Sequence, residues 1–352
     1  MNKWEENIRK VVPYVAGEQP KDSNIIKLNT NENPYPPSPG VYEMSRKIQV
    51  EKFCLYPDTN ATELTEALAE YHGLGPDQVF VGVGSDDVLA LSFLTFFNSS
   101  KPILFPDITY SFYPVWAGLY NIPFENPKVD ENFCIHIEDY FKENGGVIIA
   151  NPNAPTSIAL SFQEIRQVIE NNQDVVVIVD EAYVDFGGET ALPMLHEFDN
   201  LLVVRTFSKS RSMAGMRIGY AMGNPKLIQA MRDVKESINS YTMNMESILL
   251  GAASVKDEEY FQENIRKVVA TRDRVKEELR KMDFDVKESC TNFLFASPKM
   301  MSAKELFEKL KGKKIVVRYF SAPRVCDYLR ITIGSDEQMD CVLDAVKECL
   351  QQ

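Results

Sequence analysis

The sequence is poor in the residues that build metal centres and disulfide frameworks. Only three histidines occur among its 352 residues, and none of them has metal-ligand spacing to another. The six cysteines are scattered without a Cys-x-x-Cys pair, which is typical of reduced thiols in a cytoplasmic protein. We therefore expect no metal site and a cytoplasmic location.

Positive charge and long apolar runs are also scarce. Lysine and arginine total 38 against 51 aspartates and glutamates, which gives a net charge of −13. Because nucleic-acid binding requires a basic face, this balance argues against such a partner. No apolar run is long enough to span a membrane, and the polar start Met-Asn-Lys-Trp-Glu-Glu lacks the apolar core of a signal peptide. We expect neither nucleic acid nor membrane as a partner.

What the sequence does contain is a regular alternation of strand and helix patterns. Hydrophobic residues make up 44% of the chain, enough for a large core. From about residue 55 to 240 the alternation predicts an α/β fold with a doubly wound, mostly parallel sheet. Later strands and helices indicate a smaller α+β domain. We expect an N-terminal arm that joins the small domain (1–45), a large domain (46–245) and a small domain (246–352). A short amphipathic helix is expected within residues 1–24.

A serine, a lysine and an arginine follow one predicted buried strand. The apolar run Leu201–Val204 leads into Ser208 and Lys209, and Arg217 comes eight residues later. An amine in a partly desolvated pocket beside another cation stays partly neutral, so it can attack a carbonyl. Pyridoxal phosphate is the natural carbonyl partner, with Ser208 and Arg217 holding its phosphate. The alternative is a solvated basic turn.

An aspartate ends the most apolar strand pattern. Asp180 follows the run Val175–Val179, where burial of an unpaired carboxylate is costly. A protonated pyridine nitrogen would compensate the charge, and Tyr183 would reach the oxygen of the same ring. The alternative is a helix N-cap role for Asp180.

A glycine turn precedes the helical pattern that starts near Ser85. Gly82, Gly84, Ser85 and Asp86 form a strand–turn–helix start, which suits a phosphate because the amides of a helix N-terminus favour an anion. Taken alone, the pattern favours an ordinary turn between strand and helix. Further along, Tyr110 would stack on a flat ring or pack in the core.

Two other segments carry polar groups in unusual settings. The stretch 27–39 is rich in proline and asparagine, so it is a linker or an arm that presents Asn31, Glu32 and Asn33 to a site. Arg318 and Arg330 lie within apolar strand patterns, and a buried arginine needs a partner. An internal carboxylate or a substrate anion would serve.

Taken together, these motifs resemble the fold-type I pyridoxal-phosphate aminotransferases. The resemblance rests on the Ser-Lys turn with its downstream Arg-x-Gly, on Asp180-x-x-Tyr183 and on the loop Asn151–Thr156. The segments Asn29–Tyr35, Tyr56–Asp58 and Leu329–Gly334 are similar to those of the histidinol-phosphate branch. The likeness covers nearly the whole chain.

The resemblance implies a role for each candidate residue. Lys209 would be the Schiff-base lysine and proton shuttle in a ping-pong transamination of histidinol phosphate with glutamate/2-oxoglutarate. The ring would be held by Asp180, Tyr183 and Tyr110, and the phosphate by Ser85, Asp86, Ser208 and Arg217. Tyr56 would reach the phosphate of the neighbouring subunit, which implies a homodimer with shared active sites. Arg330 and Arg318, with Asn31 and Glu32 nearby, would bind the substrate anion.

Two departures from the family pattern bear on these roles. The loop that usually reads Asn-Asn-Pro-Thr-Gly has Ala154 at the position of the asparagine expected on the ring oxygen. Asn153 would substitute for it, or Tyr183 would act alone. After Lys209 the usual Ala-Phe is replaced by Ser210 and Arg211, and Arg211 either adds a charge near the site or faces solvent.

Other functions remain open on the sequence. An aromatic or broad-specificity aminotransferase and a threonine-phosphate decarboxylase would use the same cofactor. A non-catalytic binding protein built on this fold would be expected to lose Lys209 or to gain a DNA-binding segment. A Rossmann dehydrogenase is disfavoured because the turn Gly82–Asp87 lacks the third glycine of the dinucleotide fingerprint.

Overall fold

The computed structural model describes residues 2–15, 17–20 and 24–351. Two sheets, one of seven strands and one of five, organise this part of the chain. The predicted helix near the N-terminus is wrong, because only a 3-10 turn forms, over Lys3–Asn7. The apolar side chains of Trp4, Ile8 and Val12 in this segment are exposed, so no packed face supports a longer helix.

The larger sheet contains most of the predicted strands. Its strands are β2 (Val79–Gly82), β3 (Ile103–Leu104), β4 (Phe124–Glu125), β5 (Val147–Ala150), β6 (Val177–Asp180), β7 (Leu201–Thr206) and β8 (Gly219–Gly223). They lie in the order β2-β8-β7-β6-β5-β3-β4. The run from β7 to β4 is parallel, whereas β8 is antiparallel to both β7 and β2. The doubly wound, mostly parallel sheet is therefore confirmed.

Helices cover both faces of this sheet. They are α2 (Thr62–His72), α3 (Ser85–Phe96), α4 (Tyr113–Tyr120), α5 (Phe162–Glu170), α6 (Pro225–Ile238) and α7 (Met245–Lys256), preceded by α1 (Pro39–Ser45). Alternate strand residues point to opposite faces, so Val177 and Val179 pack in one core and Ile178 in the other. Burial on both faces explains why the strands are apolar runs rather than alternating patterns.

The smaller sheet joins the two ends of the chain. Its strands are β1 (Ile26–Leu28), β9 (Phe284–Val286), β10 (Phe293–Pro298), β11 (Ile315–Tyr319) and β12 (Leu329–Thr332), in the order β1-β11-β12-β10-β9. β1 runs parallel to β11, and the other pairs are antiparallel. Helices α8 (Glu258–Lys281), α9 (Ala303–Gly312) and α10 (Asp336–Leu350) pack on it. The expected smaller α+β domain is thereby confirmed.

Helix α7 bears on where the two domains meet. Its buried residues Ile248, Leu250, Ala252 and Val255 belong to the core of the larger sheet, although the sequence pattern puts the boundary before residue 246. The division into domains stays a prediction. We propose that the boundary lies beyond α7, at the start of α8, whose Val268 and Val275 pack in the core of the small sheet.

Candidate active site

A cavity of about 500 Å³ lies at the carboxyl ends of the central parallel strands, where open α/β sheets bind ligands. Strands β6 and β7 end there, and α3 begins there. Of the residues singled out from the sequence, its wall contains Glu32, Ser85, Asp86, Tyr110, Asp180, Tyr183, Ser208, Lys209 and Arg217. Because parallel strands end on the same side of a sheet, residues distant in sequence meet here.

Lys209 stands on the turn that follows β7. Its Nζ donates a hydrogen bond to the carbonyl oxygen of Thr30 at 3.1 Å and lies 5.7 Å from the centre of the Tyr183 ring. The Asn33 amide donates to the carbonyl oxygens of Lys209 and Ser210, at 3.1 and 3.3 Å. The N-terminal arm therefore lies over the site and holds the turn that carries the lysine.

Asp180 is buried at the end of β6 and faces the cavity. The Tyr113 hydroxyl donates to Oδ2 at 2.8 Å and the Ala182 amide donates to Oδ1 at 3.2 Å. Burial raises the pKa of the Asp180 carboxyl to about 6. Within residues 2–15, 17–20 and 24–351 this carboxylate forms no ion pair, so a cation in the cavity would stabilise its charged form.

The raised pKa predicts how stability changes with pH. Because the folded pKa of about 6 exceeds the usual 3.8, the folded protein holds this proton more tightly than the unfolded chain. Asp180 therefore adds stability that is fully present below about pH 4 and lost as the pH rises through 6. Replacing Asp180 with asparagine removes this titration. The unfolding free energy of the variant minus that of the unsubstituted protein should therefore be larger at pH 7.5 than at pH 4, by up to about 3 kcal/mol.

Urea unfolding of the ligand-free proteins at the two pH values measures this difference. Comparing the variant with the unsubstituted protein at each pH cancels the titration of the other carboxylates. The same difference in unfolding free energy at both pH values would show that the pKa of the Asp180 carboxyl is not raised.

A glycine turn joins β2 to α3. The Ser85 and Asp86 amides lie in the first turn of α3, where amides lack partners within the helix. A Cβ on Gly84 would lie 2.4 Å from Arg217 Nη2, and one on Gly219 would lie 2.2 Å from the Ser85 nitrogen. Because glycine has no Cβ at these two positions, the Arg217 guanidinium can pack against Gly84 and the Ser85 amide against Gly219.

Arg217 and Ser208 complete this turn. Arg217 Nη1 lies 3.4 Å from Ser208 Oγ, and Nη2 lies 3.3 Å from Asp86 Oδ2. The Tyr110 hydroxyl donates to the other Asp86 oxygen at 2.6 Å. The turn thus presents two helix amides, a hydroxyl and a guanidinium to one side of the cavity.

Tyr183 and the arm residue Glu32 form another side, and Asn31 adjoins Tyr183. The Asn31 amide donates to the Tyr183 hydroxyl at 2.8 Å, so Asn31 orients that tyrosine. Burial opposes ionisation of Glu32, but hydrogen bonds from Lys27 and Thr30 hold its pKa below the usual range. Glu32 is consequently a charged group at the wall, paired within the arm.

Arg330 is half-buried beside this cavity and has unused hydrogen-bonding capacity. Its Nη2 donates to the Asn29 carbonyl oxygen at 2.9 Å, and its guanidinium lies 5.3 Å from the Phe293 ring and 5.6 Å from the Phe320 ring. Its Nε is buried and has no hydrogen-bond partner among the residues that the structure describes. Because a buried donor without a partner is costly, Arg330 fits an anionic ligand.

Besides Asn31 and Arg330, which adjoin the wall, three predicted residues do not line this cavity. Asn153 donates to the Ile108 carbonyl oxygen and to Thr156 Oγ1, both at 2.9 Å, and accepts from Thr109. Its amide is fully used inside the loop, so the proposed contact of Asn153 with a ring oxygen is withdrawn. Ala154 lines the wall instead, which leaves that role to Tyr183.

The other two lie at nearby surfaces. Arg318 lines a second cavity of about 830 Å³ that shares Tyr14 and Tyr110 with the first. Tyr56 is 80% exposed and stacks on Tyr241 with 4.4 Å between ring centres. Tyr56 therefore contacts no part of the cavity within its own subunit.

Several residues of the site were missed in the sequence. Tyr113 supports Asp180, Thr30 and Asn33 contact the Lys209 turn, and Tyr14 stacks on Phe112 with 4.1 Å between ring centres at the cavity wall. Tyr113 stands in an aromatic stretch from 110 to 113 in which no pattern distinguishes one ring from the next. Asn33 was visible as a polar group of the arm, without a stated target.

Arg211 is neither in the cavity nor in solvent. Its guanidinium lies 4.1 Å from the Phe261 ring centre and donates to the Ser254 carbonyl oxygen at 2.7 Å. The arginine therefore fastens the Lys209 turn to α7 and α8.

Comparison with known proteins places this site in context. A family model described as aminotransferase class I and II matches residues 23–346. A histidinol-phosphate aminotransferase of Lactococcus lactis subsp. cremoris is 51% identical over 348 residues, covering 99% of this chain and 98% of that protein. One from Clostridium acetobutylicum is 50% identical over 347 residues, covering 99% of each chain.

A solved structure agrees in fold. The histidinol-phosphate aminotransferase of Sinorhizobium meliloti, in complex with pyridoxal-5'-phosphate, superposes with a TM-score of 0.84. It covers 93% of this chain and 91% of its own, at 22% identity. At that identity the likeness concerns the fold alone. None of the helices in the described part of the chain is long and apolar enough to cross a membrane.

Proposed function

The chain belongs to the class I and II aminotransferase family, and we propose on that premise that it transfers the amino group of histidinol phosphate to 2-oxoglutarate, using pyridoxal phosphate, in histidine biosynthesis. Relatives about 50% identical over the full length support the substrate. The observation that carries the chemistry is the meeting of Lys209, Asp180, Tyr183 and Arg217 at one cavity.

The cavity residues fit pyridoxal phosphate in charge and in hydrogen bonding. Asp180 is a buried carboxylate without a cation, which suits a protonated ring nitrogen. The Tyr183 hydroxyl suits the ring oxygen. The α3 amides of Ser85 and Asp86, with Ser208 and Arg217, suit a phosphate group.

Each residue then has a defined task in the reaction. When bound, pyridoxal phosphate supplies a conjugated ring that withdraws electrons from the substrate's α carbon. Lys209 Nζ holds and moves the proton of that carbon. Asp180 keeps positive charge at the ring nitrogen, and Arg330 binds the substrate anion. Because the phosphate of one substrate and a carboxylate of the other bind at one guanidinium, both substrates use the site in turn.

Substrate tests distinguish this function from its neighbours. Purified protein with pyridoxal phosphate should lose the visible absorbance of the bound cofactor on adding histidinol phosphate and regain it with 2-oxoglutarate, with glutamate as product. Phenylalanine and threonine phosphate, added separately, should act far more slowly. A faster response to phenylalanine would indicate an aromatic aminotransferase, and carbon dioxide released from threonine phosphate would indicate a decarboxylase.

We propose that the working form is a homodimer in which Tyr56 completes the partner's site. Tyr56 does not contact its own cavity, and its neighbours Val50, Phe53 and Leu55 are exposed apolar side chains, as is Tyr241. Apolar surface of this kind is typical of an interface. Tyr56 would reach the cofactor phosphate of the other subunit.

A subunit-mixing experiment tests this arrangement. Homodimers of Tyr56→Ala should bind pyridoxal phosphate weakly, and homodimers of Lys209→Ala should be inactive. In a mixed dimer, one of the two sites combines an intact Lys209 with the partner's intact Tyr56. Refolding equal amounts of the two variants makes about half of the dimers mixed, so the sample should recover about a quarter of the activity of the unsubstituted protein. Failure to complement, or a monomer at assay concentration, would contradict the shared site.

A further inference from the structure

Buried polar side chains that do not line the cavity hold the turn that carries Lys209. Ser210 and Arg211 follow Lys209, and both are buried without lining the cavity. The Ser210 hydroxyl donates to Asp185 Oδ2 at 2.5 Å. Asp185 belongs to the short 3-10 turn Val184–Phe186 that follows Tyr183. A single hydrogen bond thus joins the segment after Lys209 to the segment after Tyr183.

Asp185 also faces an ion pair beneath the site. Its Oδ1 lies 3.7 Å from Arg205 Nη1. Arg205, near the end of β7, forms a buried ion pair with Glu181, its Nη2 lying 2.8 Å from Glu181 Oε2. Glu181 directly follows Asp180. The network therefore ties together the residues that immediately follow Asp180 and Lys209.

Within this network Asp185 is the bridging group. Glu181 has other partners, because it also accepts from the Ala191 amide at 2.6 Å and from Thr190 Oγ1 at 2.9 Å. Ser210 Oγ contacts only Asp185 among the hydrogen bonds of the described residues. Removing the Asp185 carboxylate would leave the buried Ser210 hydroxyl without a partner, which weakens the turn.

We propose that Asp185 is a positioning residue for the reaction, because it holds the turn that carries Lys209 through the Ser210 hydroxyl. The proposal rests on the proposed function in one respect only, the role of Lys209. A lysine side chain has many rotamers, and its amine reacts only in a narrow range of positions. A loosened turn lowers the fraction of time that Nζ spends there, without removing any group that binds substrate.

Three variants separate the hydrogen bond from the charge. Asp185→Ala removes both, Ser210→Ala removes the hydrogen bond, and Asp185→Asn keeps an acceptor for Ser210 but loses the charge facing Arg205. We expect kcat to fall by about ten- to a hundredfold in Asp185→Ala and Ser210→Ala, with the KM of both substrates nearly unchanged. Asp185→Asn should lie between these and the unsubstituted protein.

A second readout does not depend on turnover. Cofactor-free protein is mixed with pyridoxal phosphate, borohydride is added at intervals, and mass spectrometry follows the label on the Lys209 peptide. The labelling rate should fall with kcat in Asp185→Ala and Ser210→Ala. Asp285→Ala is the matched control. Asp285 likewise accepts a short hydrogen bond from a hydroxyl, that of Tyr328 at 2.6 Å, but it lies in the small domain. Its kcat and labelling rate should stay unchanged.

The outcomes separate this proposal from the proposed function. If the unsubstituted protein takes no label at Lys209, the role of Lys209 itself fails. If it takes the label, but the variants match the Asp285→Ala control in kcat and labelling rate, positioning by Asp185 is overturned. A rise in KM at constant kcat would equally overturn it. Should Asp185→Ala not fold, Ser210→Ala and Asp185→Asn decide the question by the same measurements.

Discussion

Replacing Lys209 with alanine is expected to lower the rate of amino transfer by about four orders of magnitude. Two losses combine in this variant: the amine that attaches the cofactor and the base that moves the α proton, the second alone contributing about 10²- to 10⁴-fold. The residue lies on the turn after β7, on the cavity wall, in contact with Thr30 and close to Tyr183. Among the described residues it is the only lysine on that wall.

The measurement combines steady-state rates with chemical labelling. Borohydride added to the unsubstituted protein and pyridoxal phosphate should fix the cofactor on the Lys209 peptide, and Lys209→Ala should show no such label. Lys276→Ala is the matched control, because Lys276 is a partly buried lysine paired with Glu288 in the small domain. A borohydride-stable adduct at a single site in Lys209→Ala would show that another amine attaches the cofactor.

The meeting of Lys209 and Asp180 was predictable because it follows from strand geometry. Asp180 ends one buried apolar strand and Lys209 stands on the turn after another. The two strands, β6 and β7, are adjacent and parallel, with Asp180 opposite Val204. In such a pair the carboxyl ends coincide without any knowledge of side-chain contacts. The helix start at Ser85 was predictable in the same way, because a glycine turn between strand and helix has a fixed geometry, and its binding of a phosphate stays a proposal.

The supporting contacts were not predictable, because they join residues far apart in the sequence. Tyr113 reaches Asp180 across 67 positions, and Asn33 reaches Lys209 across 176. Contacts between residues so far apart in the sequence leave no local pattern in it. The position of Arg211 depends on the packing of α7 and α8 against the Lys209 turn, which composition does not encode. The hydrogen bonds of the Asn153 amide within its own loop were not predictable either, because the loop sequence does not show which amide turns inward.

Arg330→Ala is expected to reduce kcat/KM for both histidinol phosphate and 2-oxoglutarate by at least about thirtyfold. Truncating one member of a buried, hydrogen-bonded charge pair costs about 2–5 kcal/mol, and the lower figure corresponds to that factor. Arg330 is half-buried, and its Nε is buried without a hydrogen-bond partner among the described residues. A bound anion would supply the missing acceptor, so its loss should affect every anionic substrate.

Arg318 should contribute less than Arg330. Its Nη2 lies 3.4 Å from the Val15 carbonyl oxygen, in an exposed setting at the second cavity. Solvent screens an exposed charge, so Arg318→Ala should lower kcat/KM only by a few fold, about the effect of losing 1 kcal/mol or less. Arg330→Lys should keep the charge but lose the two-pronged hydrogen bonding, and should therefore recover only part of the activity.

Measuring both half-reactions decides whether one arginine serves two anions. Arg280→Ala is the control for removal of an arginine, because Arg280 pairs with Glu277 and Glu288 on the small domain. Equal losses for histidinol phosphate and 2-oxoglutarate in Arg330→Ala would support the shared site. A loss confined to one substrate would mean two separate anion sites, and unchanged activity with both would exclude Arg330 from substrate binding. In the last case the unpaired Nε would need another ligand to explain its burial.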